Sequence, residues 1–535
     1  SMFSWENTAL QMLNTYREIY YELKGEKAVD ELKILVNKLD KKAYPVFFID
    51  AKNKEKYIEV LDKKGILSGI VKYGDKLLED LKINDVSDLI TLGKCFWLTG
   101  DNKYLNLFVK EFSRLLEEGK SDERAIIHLI YSYFFFKDSG ISPEIKKIFL
   151  KLITDYAKKE NAYSKDSIEY LLNQVTLLFI SVFFPFIITK PNYDFICDFI
   201  NKIDTEGIMD KKDIYSAVFF IETFTVIYSL LRLINKKISK DDLIRVNKAF
   251  DFAISLAMPD NKYKEDASKL LRLAGNNDLD MEYVLSLRNI VENNSDSIHE
   301  SRDFESCLFL FNELDLAEKE LKPPKVKIEP YSTGYSKNKI YILKNPQSRL
   351  LTDVLSFSIF TKGKEIIYKN GDRCLEMDDN LIIYDKNFET NLWIAGKEFD
   401  FLDVQYELTP SVVHRKQVFF NKKENYWIIR DKLNGTEEHN VKIKLFVNDD
   451  LKISDINTYI NKLTVRDYIN KFVHANKNEE SFLKLNAEES LGFSIGEDHV
   501  ILPLNNPNLI KSFKDGMIEY NASMLLPNEI VFLIY

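Results

Sequence analysis

From the N-terminus to about residue 320, apolar side chains recur at spacings of three and four, the period of a helix. "DIYSAVFFIETFTVIYSLLRLINKK" places Val218, Ile221, Phe224, Thr225 and Tyr228 on that spacing. Its other positions are also largely apolar, so the pattern predicts a helix buried on most sides. "DVSDLITLGKCFWLTGDNKYLNLFVKEFSRLLEEG" gives two helical runs separated by Thr99-Gly100-Asp101, a stop followed by an N-cap. "KDDLIRVNKAFDFAISLAMPD" repeats the pattern and ends at Pro259. Helical hairpins repeated over so long a stretch predict an α-solenoid or an α/α toroid. No fixed repeat length is visible, which weighs against the open solenoid.

The texture changes at "EKELKPPKVKIEP". Pro323 and Pro324 cannot continue a helix, and lysines surround them, as in a linker. Beyond it, "NLIIYD", "NLWIAG", "KQVFF", "NYWIIRDKL" and "NVKIKLFV" are short and β-rich, with Asn370-Gly371 and Asn434-Gly435 as turn signals. In the last of these, Lys442 and Lys444 alternate with Ile443 and Leu445, one wet face and one dry. The expectation is an α+β chain. A helical domain occupies residues 1–320, a linker 321–330, and an antiparallel β-sandwich 331–535, with a short helical insertion near Asp455 to Phe472.

Charge and composition narrow the function. A net charge of -9, from 74 basic and 83 acidic residues, argues against a nucleic-acid partner. Walker, GxGxxG, HExxH and EF-hand motifs are all missing. Eighteen glycines leave little material for phosphate-cradling loops. Cys95, Cys197, Cys307 and Cys374 sit among apolar neighbours without CxxC spacing, which predicts buried free thiols and a reducing compartment. "LLNQVTLLFISVFFPFII" is too short for a transmembrane helix, carries Asn173 and Gln174 near its start, and meets Pro185; it predicts a buried helix. The start of the chain shows no basic-then-apolar leader, so the expected setting is cytoplasmic.

The stretch "QSRLLTDVLSFSIFTKGKEIIYKNGDR" holds the chemistry. Leu355, Phe357 and Ile359 alternate with Ser356 and Ser358, as in a half-buried strand. With "FWLTGDNKYLNLFVKEF", "KKDIYSAVFF", "STGYSKNKIYIL", "NFETNLWIAGKEF" and "HRKQVFFNKKENYWIIRDKLNGTEEHNVKIKLF", it resembles the heparinase II/III-like polysaccharide lyases, over roughly residues 85 to 450. The "hRr...YWvv.D.l.G...H" ladder is the best single match, and the shared order and spacing of the strings, the "LTGD-x-x-Y" hairpin among them, carry the likeness. The resemblance implies an α/α toroid followed by a β-sandwich. It also implies β-elimination at a uronate in the cleft between the domains. In that reaction a base takes the proton α to the carboxylate, a neutraliser tolerates the carbanion, and an acid protonates the departing oxygen. Such acid–base steps contribute about 10²–10⁴-fold each.

The sequence also departs from that family. Its two histidines fall on Arg349 and Leu351, the aspartate of "DPG" on Lys369, the following tyrosine near Arg373, and the histidine of "AHNT" on Thr390, with Asn391 retained. The asparagine or histidine of the helical domain falls near Ser167 to Glu169, without a clear counterpart. The zinc that some relatives hold has no ligand set in Leu351, Lys369 and Thr390, so no cofactor is expected. The resemblance implies Tyr215 as catalytic base or acid and Arg349 as carboxylate neutraliser. Lys369, Arg373, Asn391 and Asp353 are the implied substrate-binding residues, and an acidic polysaccharide is the implied partner. Each has a plainer alternative: Tyr215 as core packing, the three cations as a solvated rim, Asp353 as a strand brace, and His414 and His439 as structural hydrogen-bonders. Two functions stay open, a divergent lyase and a glycan-binding or scaffolding protein of surface-polysaccharide biosynthesis. A glycoside hydrolase on the same architecture is a lesser third.

Overall fold

The computed structural model describes residues 34–39 and 309 and most of 53–292, 331–459 and 489–534. It divides into two compact units, Ser1–Ile254 with Tyr263–Val326, and Ser255–Lys262 with Lys327–Tyr535. The expected linker, 321–330, lies outside the described residues.

The first unit is helical: α1 (Lys54–Lys63), α2 (Ile66–Asp80), α3 (Asp88–Thr99), α4 (Asn102–Glu117), α5 (Glu123–Phe136), α6 (Pro143–Lys158), α7 (Ile168–Phe183), α8 (Asp194–Asn201), α9 (Ala217–Leu233), α10 (Lys240–Leu256) and α11 (Met281–Glu292). Alternate helices pack on one another, α3 on α5, α5 on α7, α7 on α9 and α9 on α11. The sequence pattern explains the alternation. Helices α5, α7 and α9 are buried on nearly every side. Helix α6 buries one stripe, Ile145, Phe149, Ile153 and Tyr156, and leaves its lysines outside. The Thr99-Gly100-Asp101 signal works as predicted. Gly100 closes α3 in the left-handed conformation at φ 73°, its N–H on the Phe96 carbonyl. Asp101 then accepts the N–H of Lys103 at 3.0 Å, at the start of α4. Tyr104, fully buried, donates to Asp75 at 2.8 Å. The apolar run ahead of Pro185 is buried helix α7, and among the described residues no helix is long and apolar enough to cross a membrane.

Among its described residues the second unit shows three antiparallel sheets. One has the order β1 (Thr333–Tyr335), β2 (Ile340–Lys344), β3 (Ser348–Thr352), β4 (Phe357–Thr361), β5 (Lys364–Ile367). The strands of the others are β6 (Leu375–Met377), β7 (Asn380–Leu381), β8 (Phe388–Ala395), β9 (Phe399–Thr409), β10 (Val412–Asn421), β11 (Tyr426–Asn434), β12 (Glu438–Phe446), β13 (Ile453–Tyr459), β14 (Glu489–Ile495), β15 (His499–Pro503), β16 (Ile510–Lys514), β17 (Met517–Leu525) and β18 (Asn528–Ile534). An eight-stranded sheet runs β13-β14-β15-β18-β11-β10-β9-β8, and a five-stranded one β16-β17-β12-β6-β7. Tyr341 and Leu350 from the first sheet, Val404, Trp427 and Phe532 from the second, and Ile443 and Tyr520 from the third share one apolar core. Strand β12 shows the predicted alternation. Val441, Ile443 and Leu445 enter that core, while Lys442 reaches Asp379 at 2.6 Å and Lys444 pairs with Glu376 on the other face.

Three expectations change. Strand β4 is buried on both faces, with Ser358 1 % exposed, because the end of α10 and Ala257 lie on the Arg349 and Lys344 face that should have been wet. The expected helical insertion begins as strand: Asp455 to Tyr459 belong to β13, paired in register with β14, and cross-strand pairing overrides local preference there. The rest of that insertion lies outside the described residues. Cys95 is buried as predicted, but Cys197 is exposed. On α8 the buried positions are Phe195, Ile196, Phe199 and Ile200, which turns Cys197 outward. Cys307 and Cys374 lie outside the described residues.

Gly207 separates two kinds of glycine. It closes a turn whose N–H groups at Glu206 and Ile208 bind the Asp204 carboxylate, and it sits at φ 90°. A Cβ there would stand 2.2 Å from the Lys248 carbonyl oxygen. Gly363, at φ 80°, has open space around it. Gly363→Ala should cost about 1 kcal/mol, the left-handed penalty alone, whereas Gly207→Ala should cost more than about 3 kcal/mol by adding a backbone clash. Chemical denaturation of the two variants checks this, and equal losses would contradict it.

Candidate functional site

Tyr215 lies in a single 3₁₀ turn, Ile214–Ser216, that leads directly into α9. Ser216 Oγ holds the turn by donating to the Asp213 carbonyl at 2.6 Å. Beside the turn is a shallow depression lined by Met209, Asp210, Asp213, Phe220 and Phe252 among others.

In the second unit, Arg349 on β3 stands directly across from Lys344 on β2, so both side chains leave the same face. They are 1 % and 4 % exposed. Arg349 Nη1 donates to the Leu256 carbonyl and Lys344 Nζ to the Ala257 carbonyl. Both acceptors belong to the segment Ser255–Lys262 that groups with the strands. The last carbonyls of a helix have no partner within it and carry partial negative charge, so two buried cations complement them. The cost shows in Lys344. Burial, reinforced by the neighbouring Arg349 charge, pushes its ammonium down to about 7, although Asp260 pulls the other way. Arg349 thus has a structural engagement that the sequence did not signal.

Asn391 sits at a β-bulge. Thr390 pairs with Val404 and Leu392 with Asp403, which leaves Asn391 as the extra residue. Its exposed amide donates to Asp403 Oδ1 at 3.2 Å and to Gln405 Oε1 at 3.3 Å. Asp403, fully buried, also takes Arg415 through two nitrogens and Gln417 at 2.9 Å. Arg430 continues the row to Gln417 at 2.8 Å and Glu529 at 2.9 Å. Asp353, Lys369 and Arg373 lie outside the described residues. Of the residues singled out from sequence, Asn391 alone is seen to join this row.

On the opposite face of the same strands, His414 is held between Tyr406, on Nδ1, and Asp431, on Nε2 at 2.8 Å, with Lys416 3.5 Å from Asp431. Burial lowers the His414 pKa against the pull of Asp431. Burial would raise Asp431, but the Lys416 and His414 interactions outweigh it and hold it low. His414 is therefore a structural hydrogen-bonder. His439 is bonded to Asp378 at 2.6 Å nearer the surface.

The helical unit holds a polar assembly that the sequence analysis missed. His128 and Glu222 each lie about one and a half turns into α5 and α9. They meet at one residue: His128 Nε2 donates to the Leu271 carbonyl at 2.6 Å, and the Leu271 N–H donates to Glu222 Oε2 at 2.6 Å. Tyr283, in the first turn of α11, donates to Glu222 Oε1 at 2.7 Å. The N-terminal halves of α5, α9 and α11 are therefore level. At the start of α5, Glu123 Oε1 accepts the hydroxyls of Tyr156 at 3.2 Å and Tyr163 at 3.1 Å. Asn173 Nδ2 donates to the Tyr156 oxygen at 2.9 Å, Gln174 Nε2 to Asn173 Oδ1 at 3.3 Å, and Asn192 Nδ2 to Gln174 Oε1 at 3.5 Å. Burial and the Glu123 charge raise the Tyr156 pKa; the hydrogen bond to Glu123 raises that of Tyr163. The signal was present, since Asn173-Gln174 is the polar break in an otherwise apolar run.

No family model matches the sequence, and no curated protein matches it significantly. Solved structures do. A heparinase III aligns over 98% of this chain and 90% of its own, with TM-score 0.51 and 12% identity. The heparan sulfate lyase of Pedobacter heparinus covers 99% and 91%, with TM-score 0.48 and 13% identity. The chondroitin AC lyase of Streptomyces coelicolor A3 covers 90% and 99%, with TM-score 0.41 and 6% identity. The chain has a polysaccharide-lyase fold, an assignment that rests on the first of these; at such identity the likeness speaks for the fold alone.

Two outcomes follow from the geometry. Leu351 is a buried hydrocarbon, and Thr390 Oγ1 is bonded to the Tyr341 hydroxyl, so these positions do not fit the zinc of some relatives. Elemental analysis should find no stoichiometric zinc, and chelator should leave the melting temperature unchanged. The second concerns Lys344. Its folded-state pKa lies below its unfolded value, so folding penalises the protonated form. Below about pH 7 both states hold the proton and the penalty is complete; it is relieved as pH rises from 7 toward 10.5. Measured against Lys344→Met, the wild-type protein should gain stability over that window, by up to about 1.4 kcal/mol per pH unit. A stability difference that stays flat with pH would contradict the buried cation pair.

Proposed function

We propose that the chain is an α/α toroid followed by an antiparallel β-sandwich, and that it acts on an acidic, uronate-containing polysaccharide by β-elimination. The observation that carries this reading is the heparinase III likeness, which extends over nearly the whole chain. The level N-terminal halves of alternate helices give it support, since helix N-termini present N–H groups and positive potential to an anion.

In the proposed reaction, a base takes the proton α to the uronate carboxylate. Its electron pair forms the new carbon–carbon double bond as the glycosidic carbon–oxygen bond breaks. The departing oxygen takes a proton. Tyr215, at the entry to α9, is the proposed base or acid. Arg349 is the proposed carboxylate neutraliser, with Lys369, Arg373 and Asn391 the proposed substrate contacts of the second domain and Asp353 bracing the strand.

A second reading, glycan binding without turnover, is favoured by one observation. Arg349 is 1 % exposed and bonded to a backbone carbonyl, and Leu351 beside it is equally buried. A glycan panel separates the two. Uronate-containing polysaccharides should yield products with the ultraviolet absorbance of an unsaturated uronate, and Tyr215→Phe should keep binding while losing most turnover. Binding without that absorbance supports the second reading. Reducing ends without it point to hydrolysis, and an absence of binding to every acidic glycan overturns both readings.

A further inference from the structure

We propose that Asn391, with Glu389 beside it, forms a subsite that only accepts hydrogen bonds, and that it takes a hydroxyl or acylamino group of an unsulfated sugar unit next to the uronate. This rests on the reading of Asn391 as a substrate contact and names the chemistry of that contact.

Counting protons sets the direction of the amide. Asn391 Nδ2 carries two protons and meets two acceptors, Asp403 Oδ1 at 3.2 Å and Gln405 Oε1 at 3.3 Å. Both are fixed in that role. Asp403 is a carboxylate, which only accepts; it is fully buried and held by Arg415 at 2.8 Å and Gln417 at 2.9 Å. Gln405 Nε2 donates to the Glu389 carboxylate at 3.3 Å, which leaves Oε1 to face Asn391. The amide therefore has a fixed acceptor on each side, and either one alone calls for the same orientation. Turned over, its oxygen would stand against two others. What Asn391 has left for a ligand is Oδ1, to which no hydrogen bond is made among the described residues.

The place is open to solvent. Asn391 and Glu389 are both exposed, and their strand β8 ends the eight-stranded sheet among the described residues. The bulge is what turns Asn391 onto this face, since Thr390 and Leu392 take the regular partners Val404 and Asp403. The arginines of the row pair with carboxylates within it, Arg415 with Asp403 and Arg430 with Glu529. A ligand at β8 thus meets an amide oxygen and a carboxylate. Sulfate and carboxylate groups bring only acceptors and negative charge, and are turned away. Hydroxyl and acylamino groups bring a proton to donate, and are taken.

The probes are two matched sets of uronate-containing oligosaccharides, one desulfated and N-acetylated, the other sulfated. Binding is read by calorimetry, with melting temperature as control. The wild-type protein should bind the desulfated set at least about fivefold more tightly. Asn391→Ala should weaken that set about fivefold and leave the sulfated set unchanged or tighter, a split that a merely structural amide would not produce. Asn391→Lys, which puts a charged donor in place of the acceptor, should reverse the preference. Neutron diffraction from wild-type crystals should place both Asn391 amide deuterons on Asp403 and Gln405. A deuteron facing solvent overturns the subsite, and so does equal affinity for the two sets, or an equal loss of both in Asn391→Ala. In each of these cases the protein still binds uronate glycans, and the functional reading stands. Binding of neither set overturns both.

Discussion

Helices α5, α7 and α9 have almost no wet face, and that constraint governs the rest of the helical unit. A helix buried all round must satisfy every polar side chain it carries from within the protein, since an unpaired buried group costs about 1–3 kcal/mol. The buried imidazole, amide and carboxylate side chains lie in the N-terminal halves of these helices, while Ser132, Ser181, Thr225 and Ser229 return their hydroxyls to carbonyls of the preceding turn. His128 and Glu222 close on the backbone of Leu271, and Glu123, Asn173 and Gln174 close on one another through Tyr156. An assembly of this kind tolerates little rearrangement, because turning one amide reverses the roles of its neighbours. Rigidity in this unit thus comes from the direction of hydrogen bonds as well as from aromatic packing.

The second unit solves a related problem with charge. Its first sheet is buried on both faces, so the Lys344–Arg349 pair cannot reach water. Two like charges side by side would ordinarily repel. They are tolerated here because consecutive carbonyls, Leu256 and Ala257, accept from them at the end of a helix. The same bonds hold the segment Ser255–Lys262 against the strands, and this is why a stretch of chain flanked by helical sequence groups with the sheets.

How much of this could be read beforehand differs by kind of signal. The change from helical to strand periodicity, the Gly100 stop, the buried run before Pro185 and the alternation of Lys442 with Ile443 were legible, because each is a local pattern with a local cause. The burial of β4 on both faces was not, because its cover comes from residues almost a hundred positions away. Arg349 was legible as an unusual residue but not as a carbonyl clamp, for the same reason. The Glu123 chain was missed because its members come from three helices and two connecting segments. Only Asn173-Gln174 broke the apolar pattern, and that break served to argue against a membrane helix.

The placement of charge bears on how β-elimination could run on this chain. A uronate carbanion needs its carboxylate neutralised, and cations and neutral donors can both do so. Among the described residues of the second unit, Arg349 and Lys344 are committed to carbonyls, while Arg415 and Arg430 are committed to Asp403 and Glu529. The helical unit instead carries the amides of Asn173, Gln174 and Asn192, neutral donors joined in one row. A neutral donor contributes about 0.5–1.5 kcal/mol, against about 1.5–3 for a charged one. Its value then depends on being aimed before the substrate arrives, since nothing long-ranged will draw the carboxylate into line. On the proposed reading, a lyase fold whose sandwich arginines Arg415 and Arg430 pair with carboxylates of their own sheet leaves the pull on a uronate to Lys369 and Arg373, and the aim to neutral donors already held in place.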